Sequence, residues 1–387
     1  MDVFNPQDVA EKILQAIQKE HKEMTTLNVM ILGKTGVGKS TLINNMFNEK
    51  LADTGMGKPV TKTIRKIEKP DFPLAIYDTP GLELGGEFDT ESILKEVVGE
   101  IDKGVRSGDI SKAIHCIWYC VSTASSRFEQ TEIDFLKDFL KETKDYDIPV
   151  IVVLTQSFSK NNAQAMMKEI EKENLDIVNV VPVLAANYPI DDEYVAKAYG
   201  LDRLSNIMYN AIPDVLRKTF VAVQKASLEL KKAKAQAVVA SSAVAAAATG
   251  AVPIPFSDAA ILVPEQIAML GGITAVFGVP MEKGTLAAII SATIGTAGAT
   301  VLGKTIVANL IKLIPGAGSV IGGVISGTTA AALTAALGEA YIVVMTLVFN
   351  GEMSVQELGS ERGQQEITKI FKDKLSLKRN SKGEVEE

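Results

Sequence analysis

The residues best placed to do chemistry lie in one run, Asn28 to Asn45, NVMILGKTGVGKSTLINN. An apolar stretch, Val29 to Leu32, leads into a loop G-x-x-x-x-G-K-S from Gly33 to Ser40, and then into a helix carrying Leu42, Ile43 and Phe47. Gly33, Gly36 and Gly38 let the backbone curl so that successive N–H groups point inward. The helix starting near Gly38 adds the positive end of its dipole, and together they make a cradle for a di- or triphosphate. Lys39 brings an ammonium to the β- and γ-phosphates, and the Ser40 hydroxyl is a Mg²⁺ ligand. The expected phosphate-binding residues are therefore Gly33, Lys34, Thr35, Gly36, Val37, Gly38, Lys39, Ser40 and Thr41. The bland alternative is a glycine turn that ends in Lys-Ser, and the strand before and the helix after argue against it.

Two further stretches would complete such a site. Leu51 to Thr61 is a glycine-rich polar loop before a strand pattern at Thr63–Lys69. A threonine here can close on Mg²⁺ and on the γ-phosphate only when that phosphate is present, with Thr61 the first candidate and Thr63 the second. Pro73 to Asp78 is an apolar run ending in DTPG. Asp78 at the end of that strand can hold the Mg²⁺ hydration shell, and the Gly81 N–H can reach the γ-phosphate. Leu82 to Phe88 would then be a second moving segment, hinged at Gly85 and Gly86.

GKTGVGKS, PVT and DTPG, in that order, resemble the phosphate-binding and switch boxes of the Ras-like, translation-factor class of GTPases, the Era-like, septin-like and immunity-associated branches most of all. The resemblance covers Leu27 to Leu216. It implies a GTPase domain with GTP and GDP as ligands, Mg²⁺ as cofactor, and homodimerisation through that domain. Two departures matter. Leu82 stands where Ras-like proteins hold the water-orienting glutamine and cannot hydrogen-bond a water, and Gly36 replaces the asparagine of potassium-stimulated relatives. Arg127, in SSRF before a helix pattern, matches an arginine-containing box of the septin-like and immunity-associated proteins; it and Arg65 are the candidates to stabilise charge in catalysis. The base-recognition box N/T-K-x-D maps onto Thr155, Gln156, Ser157 and Phe158, so the base-reading aspartate is replaced by phenylalanine. The last box maps onto VLAAN, with Ala185 and the Ala186 N–H at the base. GTP is favoured by the resemblance over a relaxed or adenine preference.

These residues need a scaffold, and the surrounding pattern supplies one. Apolar strands alternate with helical periods from 28 to about 217, including the all-apolar Pro149–Leu154: a doubly wound, mainly parallel α/β sheet. His115, in the buried run AIHCIWYCV, is read as a satisfied core residue. Residues 1–24 hold an amphipathic helix begun by Asn5-Pro6 and expected to pack on the nucleotide domain, and Leu201–Lys234 reads as a long helical stretch.

Over 387 residues the net charge is −7, which argues against a nucleic-acid surface, so no DNA partner is expected. Cys116 and Cys120, the two cysteines, fit neither a disulfide framework nor zinc. No signal peptide is visible at the start.

From Ala235 to Asn350 only seven residues are charged: Asp258, Glu265, Glu282, Lys283, Lys304, Lys312 and Glu339. Four apolar blocks, Gln236–Val252, Ile261–Val279, Leu286–Val301 and Ile306–Phe349, imply an all-α hydrophobic domain over 218–350, followed by a polar helix and tail over 351–387. VPIPFSD and LIPGAGS resemble paired turns, and Gly295 with Ala299 and Gly318 with Gly322 suit close helix packing. Glu339 and the scattered glycines disfavour ordinary spans, so helical hairpins inserting at a membrane are favoured over a soluble Ala/Gly-packed bundle, with lysines 225–234 facing anionic lipid headgroups. This half resembles the small-residue-rich domain of unknown function behind Era-like domains in certain bacterial GTPases. The combined expectation is a slow, Mg²⁺-dependent GTPase that controls its helical domain on the cytoplasmic face of a bacterial inner membrane. The alternatives are a cytoplasmic ribosome-assembly GTPase and a membrane-active effector gated by nucleotide.

Overall fold

The computed structural model describes residues 5–49, 51, 64–79, 90–125, 129–249, 264–294 and 327–370, apart from 359, 364 and 368. They divide into two compact units: Met24–Ser227, and Met1–Glu23 together with Leu228–Glu387.

The first unit is built on a six-stranded sheet ordered β2-β3-β1-β4-β5-β6. The strands are β1 (Leu27–Leu32), β2 (Arg65–Lys69), β3 (Phe72–Asp78), β4 (Cys116–Ser122), β5 (Val150–Thr155) and β6 (Asn179–Pro182). All run parallel except β2, which pairs antiparallel with β3 at the edge. β1 and β5 are buried at every position and β4 at all but its last, as expected of strands covered on both faces. Met30, Tyr119 and Val152 face a core with Val97 of α3 (Thr90–Arg106), Phe139 of α4 (Gln130–Thr143) and Ile170 of α5 (Lys160–Lys172). Trp118, one residue out of that register, stacks on Phe47 just past α2 (Lys39–Met46), ring centroids 5.8 Å apart. Parallel strands send their C-terminal ends to one edge, and β1, β3, β4 and β5 all end there, with the loop 33–38 following β1.

The expected long helix at 201–234 is three helices: α6 (Leu201–Ala211), α7 (Asp214–Val223) and α8 (Leu228–Thr249). The first break is set by Pro213, which drives Ile212 to an extended ψ of 155°. At the second, the Gln224 side chain takes over: its Oε1 accepts the N–H groups of Ala226 and Ser227, both at 2.7 Å, and its Nε2 donates to the Ser227 carbonyl.

In the second unit α1 (Pro6–Lys22) starts as the sequence implies, with Asn5 Oδ1 accepting the Gln7 N–H at 3.0 Å and proline in the first turn. Its packing departs from expectation. α1 packs against α9 (Pro264–Phe277) and α10 (Lys283–Ile294) and belongs to the helical unit rather than to the nucleotide-binding one. The reason is steric fit: a Cβ on Gly271 would lie 2.7 Å from the Ala16 Cβ, so the glycine is what lets the two helices meet. α8 lies along α11 (Gly327–Phe349), where a Cβ on Gly338 would overlap Val239 and Met269. Among the described residues, close small-residue packing is seen at Gly271, Gly327 and Gly338, while the anticipated pairs at 295/299 and 318/322, and both VPIPFSD and LIPGAGS, lie outside the described residues.

Lys231 also departs from expectation. It does not face lipid: it is fully buried, donates to the Val276 and Phe277 carbonyls at 3.0 and 2.9 Å, and so caps the C-terminus of α9. Burial holds its ammonium pKa well below the usual lysine value. α12 (Val355–Leu358) follows after a turn.

Candidate functional site

The loop from Gly33 to Gly38 joins β1 to α2, and its shape depends on its glycines. Gly33, Gly36 and Gly38 have φ of 141°, 78° and 94°, a region side-chain-bearing residues rarely enter. At Gly33 a Cβ would in addition overlap the Cys120 carbonyl oxygen of β4. Gly38 is the N-cap of α2, and no side chain caps that end. The first amides of the helix are therefore left to an anion.

Lys39 folds back over this loop, donating to the Gly33 carbonyl at 2.8 Å and to that of Lys34 at 3.0 Å. Lys34 points away from the cradle: its ammonium lies 2.7 Å from Glu129 and 3.3 Å from the buried Glu132 at the start of α4. Burial raises the Glu132 carboxyl pKa and the Lys34 charge partly offsets it. This brace joins the phosphate loop to α4 across 95 positions of sequence.

Thr155 and Gln156 come to the loop from β5. The Thr155 hydroxyl, buried, donates to the Val37 carbonyl at 2.5 Å. Gln156, at φ 52°, donates from Nε2 to the Gly36 carbonyl at 3.0 Å and accepts at Oε1 from the Ser122 hydroxyl at 2.5 Å. Both side chains fasten the phosphate loop to the sheet, a role no local motif in the sequence announces. Ala185 and Ala186 follow β6, and their loop is tied to the same place: the Ser157 N–H donates to Val183, and Leu184 and Tyr199 exchange backbone hydrogen bonds at 3.0 Å.

Asp78 closes β3. Its Oδ1 is sealed from solvent and has no hydrogen-bond partner among the described residues. Burial raises its pKa, opposed by the charges of Lys39 and Arg65, the latter opposite it in the β2–β3 register. The Thr79 hydroxyl pins the chain to the Ile31 carbonyl at 3.0 Å. A buried carboxylate oxygen without a partner costs about 1–3 kcal/mol, and a divalent cation with its water shell would satisfy it. Asp78 thus fits the Mg²⁺ site expected of it, and Ser40 opens α2 beside the same loop.

Thr61, Thr63, Gly81, Leu82, Gly85, Gly86 and Arg127 lie outside the described residues. His115 is a core residue: its Nδ1 accepts the Asn28 N–H at 2.9 Å, its Nε2 bonds the Ile110 carbonyl at 2.7 Å, and burial lowers its pKa. Cys116 and Cys120 are unbonded thiols that burial pushes up to about 12. Among the described residues no cluster of three or more His, Cys, Asp or Glu offers another metal site.

Residues 28–156 match the profile of the family described as 50S ribosome-binding GTPase, and residues 217–376 that of a domain of unknown function, DUF697. Residues 28–156 are thus similar to a GTPase domain of this family. Era, septin and Toc proteins are its relatives: chloroplastic GTPase ERA1 of Zea mays is 30% identical over 174 residues, 42% of this chain and 38% of that protein. Neuronal-specific septin-3 of Danio rerio is 26% identical over 184 residues, 41% of this chain and 50% of that protein. Translocase of chloroplast 34 of Arabidopsis thaliana is 33% identical over 91 residues, 23% and 29% of the two chains. The chain spans at most half the length of these three relatives. Among solved structures, Era with MgGDPNP and a 16S ribosomal RNA segment aligns at TM-score 0.35 and 20% identity, over 57% of this chain and 67% of that one. Toc33 of Arabidopsis thaliana with Mg²⁺ and GMPPNP aligns at 0.34 and 18%, over 53% and 93%.

Proposed function

We propose that the GTPase domain binds GTP with Mg²⁺ and hydrolyses it slowly to GDP, and that its nucleotide state sets how the helical unit engages the cytoplasmic face of a membrane. The single observation that carries the nucleotide half is the pairing of an amide-lined, side-chain-uncapped α2 N-terminus with the unpartnered Asp78 oxygen. The amides of 36–41 and the Lys39 ammonium hold the phosphates, and Ser40, Thr61 and Asp78 hold the cation, which when bound neutralises charge developing between the β- and γ-phosphates. The Gly81 amide senses the γ-phosphate. Leu82 supplies no water-orienting group, so turnover stays at or below about 10⁻³ s⁻¹ unless a second copy, docking through the GTPase domain, adds one such as Arg127.

The membrane half is supported by α11, which over Ala330–Phe349 has the length and composition to cross a bilayer while about half of it is buried within the helical unit. Flotation with anionic liposomes, in GDP or a non-hydrolysable GTP analogue, tests it. Binding that changes with the nucleotide and is levelled by Lys39→Ala supports the reading. Co-sedimentation with ribosomal subunits and indifference to liposomes would replace it with the ribosome-assembly role.

A further inference from the structure

Where the family's base-reading aspartate would stand, this chain has Phe158, and its surroundings are built. Phe158 is half-buried and packs on Tyr188, ring centroids 4.6 Å apart at 48°. Tyr188 opens a two-stranded hairpin, β7 (Tyr188–Pro189) with β8 (Val195–Ala196), yet remains 50% exposed. The hairpin is stiffened at its turn by Asp191 Oδ1, which accepts the Glu193 and Tyr194 N–H groups at 2.9 and 2.7 Å. At its base, Asn187 Oδ1 accepts the Ala198 N–H at 2.8 Å, and the Tyr199 hydroxyl donates to the Ser157 carbonyl at 2.9 Å.

The two loops that border a base are thus locked together, and several of their polar side chains are already engaged. Both ends of the Gln156 amide serve Gly36 and Ser122, the Asn187 oxygen serves the hairpin, and Asp191 serves the turn. Asp192 and Glu193 are exposed at the turn. Beside the exposed Lys160 ammonium, 5.1 Å from the Tyr199 ring centroid, this edge offers a ligand aromatic surface and loop amides, with no carboxylate at 158 to pair with guanine N1 and N2.

We propose that the base is held by stacking against the Phe158–Tyr188 pair, and that the site accepts purine triphosphates with little preference for guanine. The inference rests on the proposed triphosphate binding and extends it to the base. A site that hydrogen-bonds a substrate group rejects analogues lacking it by about 10⁴–10⁵-fold, whereas a ring face tolerates any base and contributes about 10- to 100-fold in affinity.

The test is competition of GTP, ITP and ATP against a fluorescent GTP analogue on the full chain with Mg²⁺, with thermal melts confirming that each variant folds. The three nucleotides should bind within about tenfold of one another; Phe158→Leu should weaken all three by about 10- to 100-fold, and Phe158→Tyr should restore them. Phe158→Asp should raise preference for GTP over ATP at least about tenfold. A wild-type preference for GTP above about 10³-fold, or a folded Phe158→Leu variant that binds as before, would overturn the stacking proposal alone. No triphosphate binding by wild type, or full binding by Lys39→Ala, would instead overturn the nucleotide site on which it stands.

Discussion

Asp78→Asn separates what the site does for stability from what it does for binding. Among the described residues nothing hydrogen-bonds the buried Asp78 Oδ1, and burial raises the carboxyl pKa against the pull of Lys39 and Arg65. The desolvation penalty of about 1–3 kcal/mol is partly offset by those charges, so replacing the carboxylate by an amide should stabilise the empty protein by about 1 kcal/mol at neutral pH. For a unit of this size that is about 2–4 °C in Tm. With Mg²⁺ and GTP at about 100 times Kd the wild type should gain about 2.7 kcal/mol, and the variant should lose most of that gain. The two curves should therefore cross: the variant melts higher without ligand and lower with it. The sign with pH follows from the raised pKa. The stability associated with the protonated group is fully present below the unfolded value of 3.8 and is lost as pH rises through the raised folded value, so the variant's advantage should shrink as pH falls toward 3.8. Scanning fluorimetry at neutral and acid pH, with and without magnesium nucleotide, reads all four corners. An Asp78→Asn protein that is less stable when empty, yet as strongly stabilised by ligand as wild type, would refute the reasoning.

Gly33→Ala should destabilise the GTPase unit by about 2–4 kcal/mol, since it combines a positive φ with overlap on the Cys120 carbonyl, and chemical denaturation checks it. Gly338→Ala should cost about 1–3 kcal/mol by forcing α8 from α11, measured the same way. Lys231→Ala should cost more than Lys231→Met, which keeps the volume and leaves no charge to bury; about 2–4 against less than about 1.5 kcal/mol is expected. Because the folded-state pKa of Lys231 is lowered, the unfolded chain takes up that proton first as pH falls below 10.5. Wild-type stability should therefore rise with pH across the window from the lowered value to 10.5, a slope the methionine variant should lack.

The phosphate loop is legible because its glycines, Lys39 and Ser40 lie within eight residues, with a strand and a helix announced by their own periods. Asp78 was legible because an apolar run stops there. Other features leave no local trace. The partners of Lys34 are Glu129 and Glu132, and nothing near Lys34 hints at them. Gln156 resembled a degraded base-reading position, whereas its amide fastens Gly36 to Ser122. The lysines of 225–234 read as one basic cluster, yet α8 turns Lys231 inward onto α9, since facing inward or outward depends on the helix's neighbours rather than on composition. The break at Gln224 leaves no mark in the sequence because glutamine carries no turn signature of its own; its effect arises only when both ends of the amide find backbone.

α1 and the helices it serves are encoded far apart, about 240 residues from Lys22 to Pro264. At about 5–20 residues per second, α1 leaves the ribosome some 12–50 s before α9 exists. For that interval Ala10 and Ile13 have no native cover. A nascent chain therefore carries a sticky helix while the domain encoded after it folds, and deleting α1 would strip a wall from the helical unit.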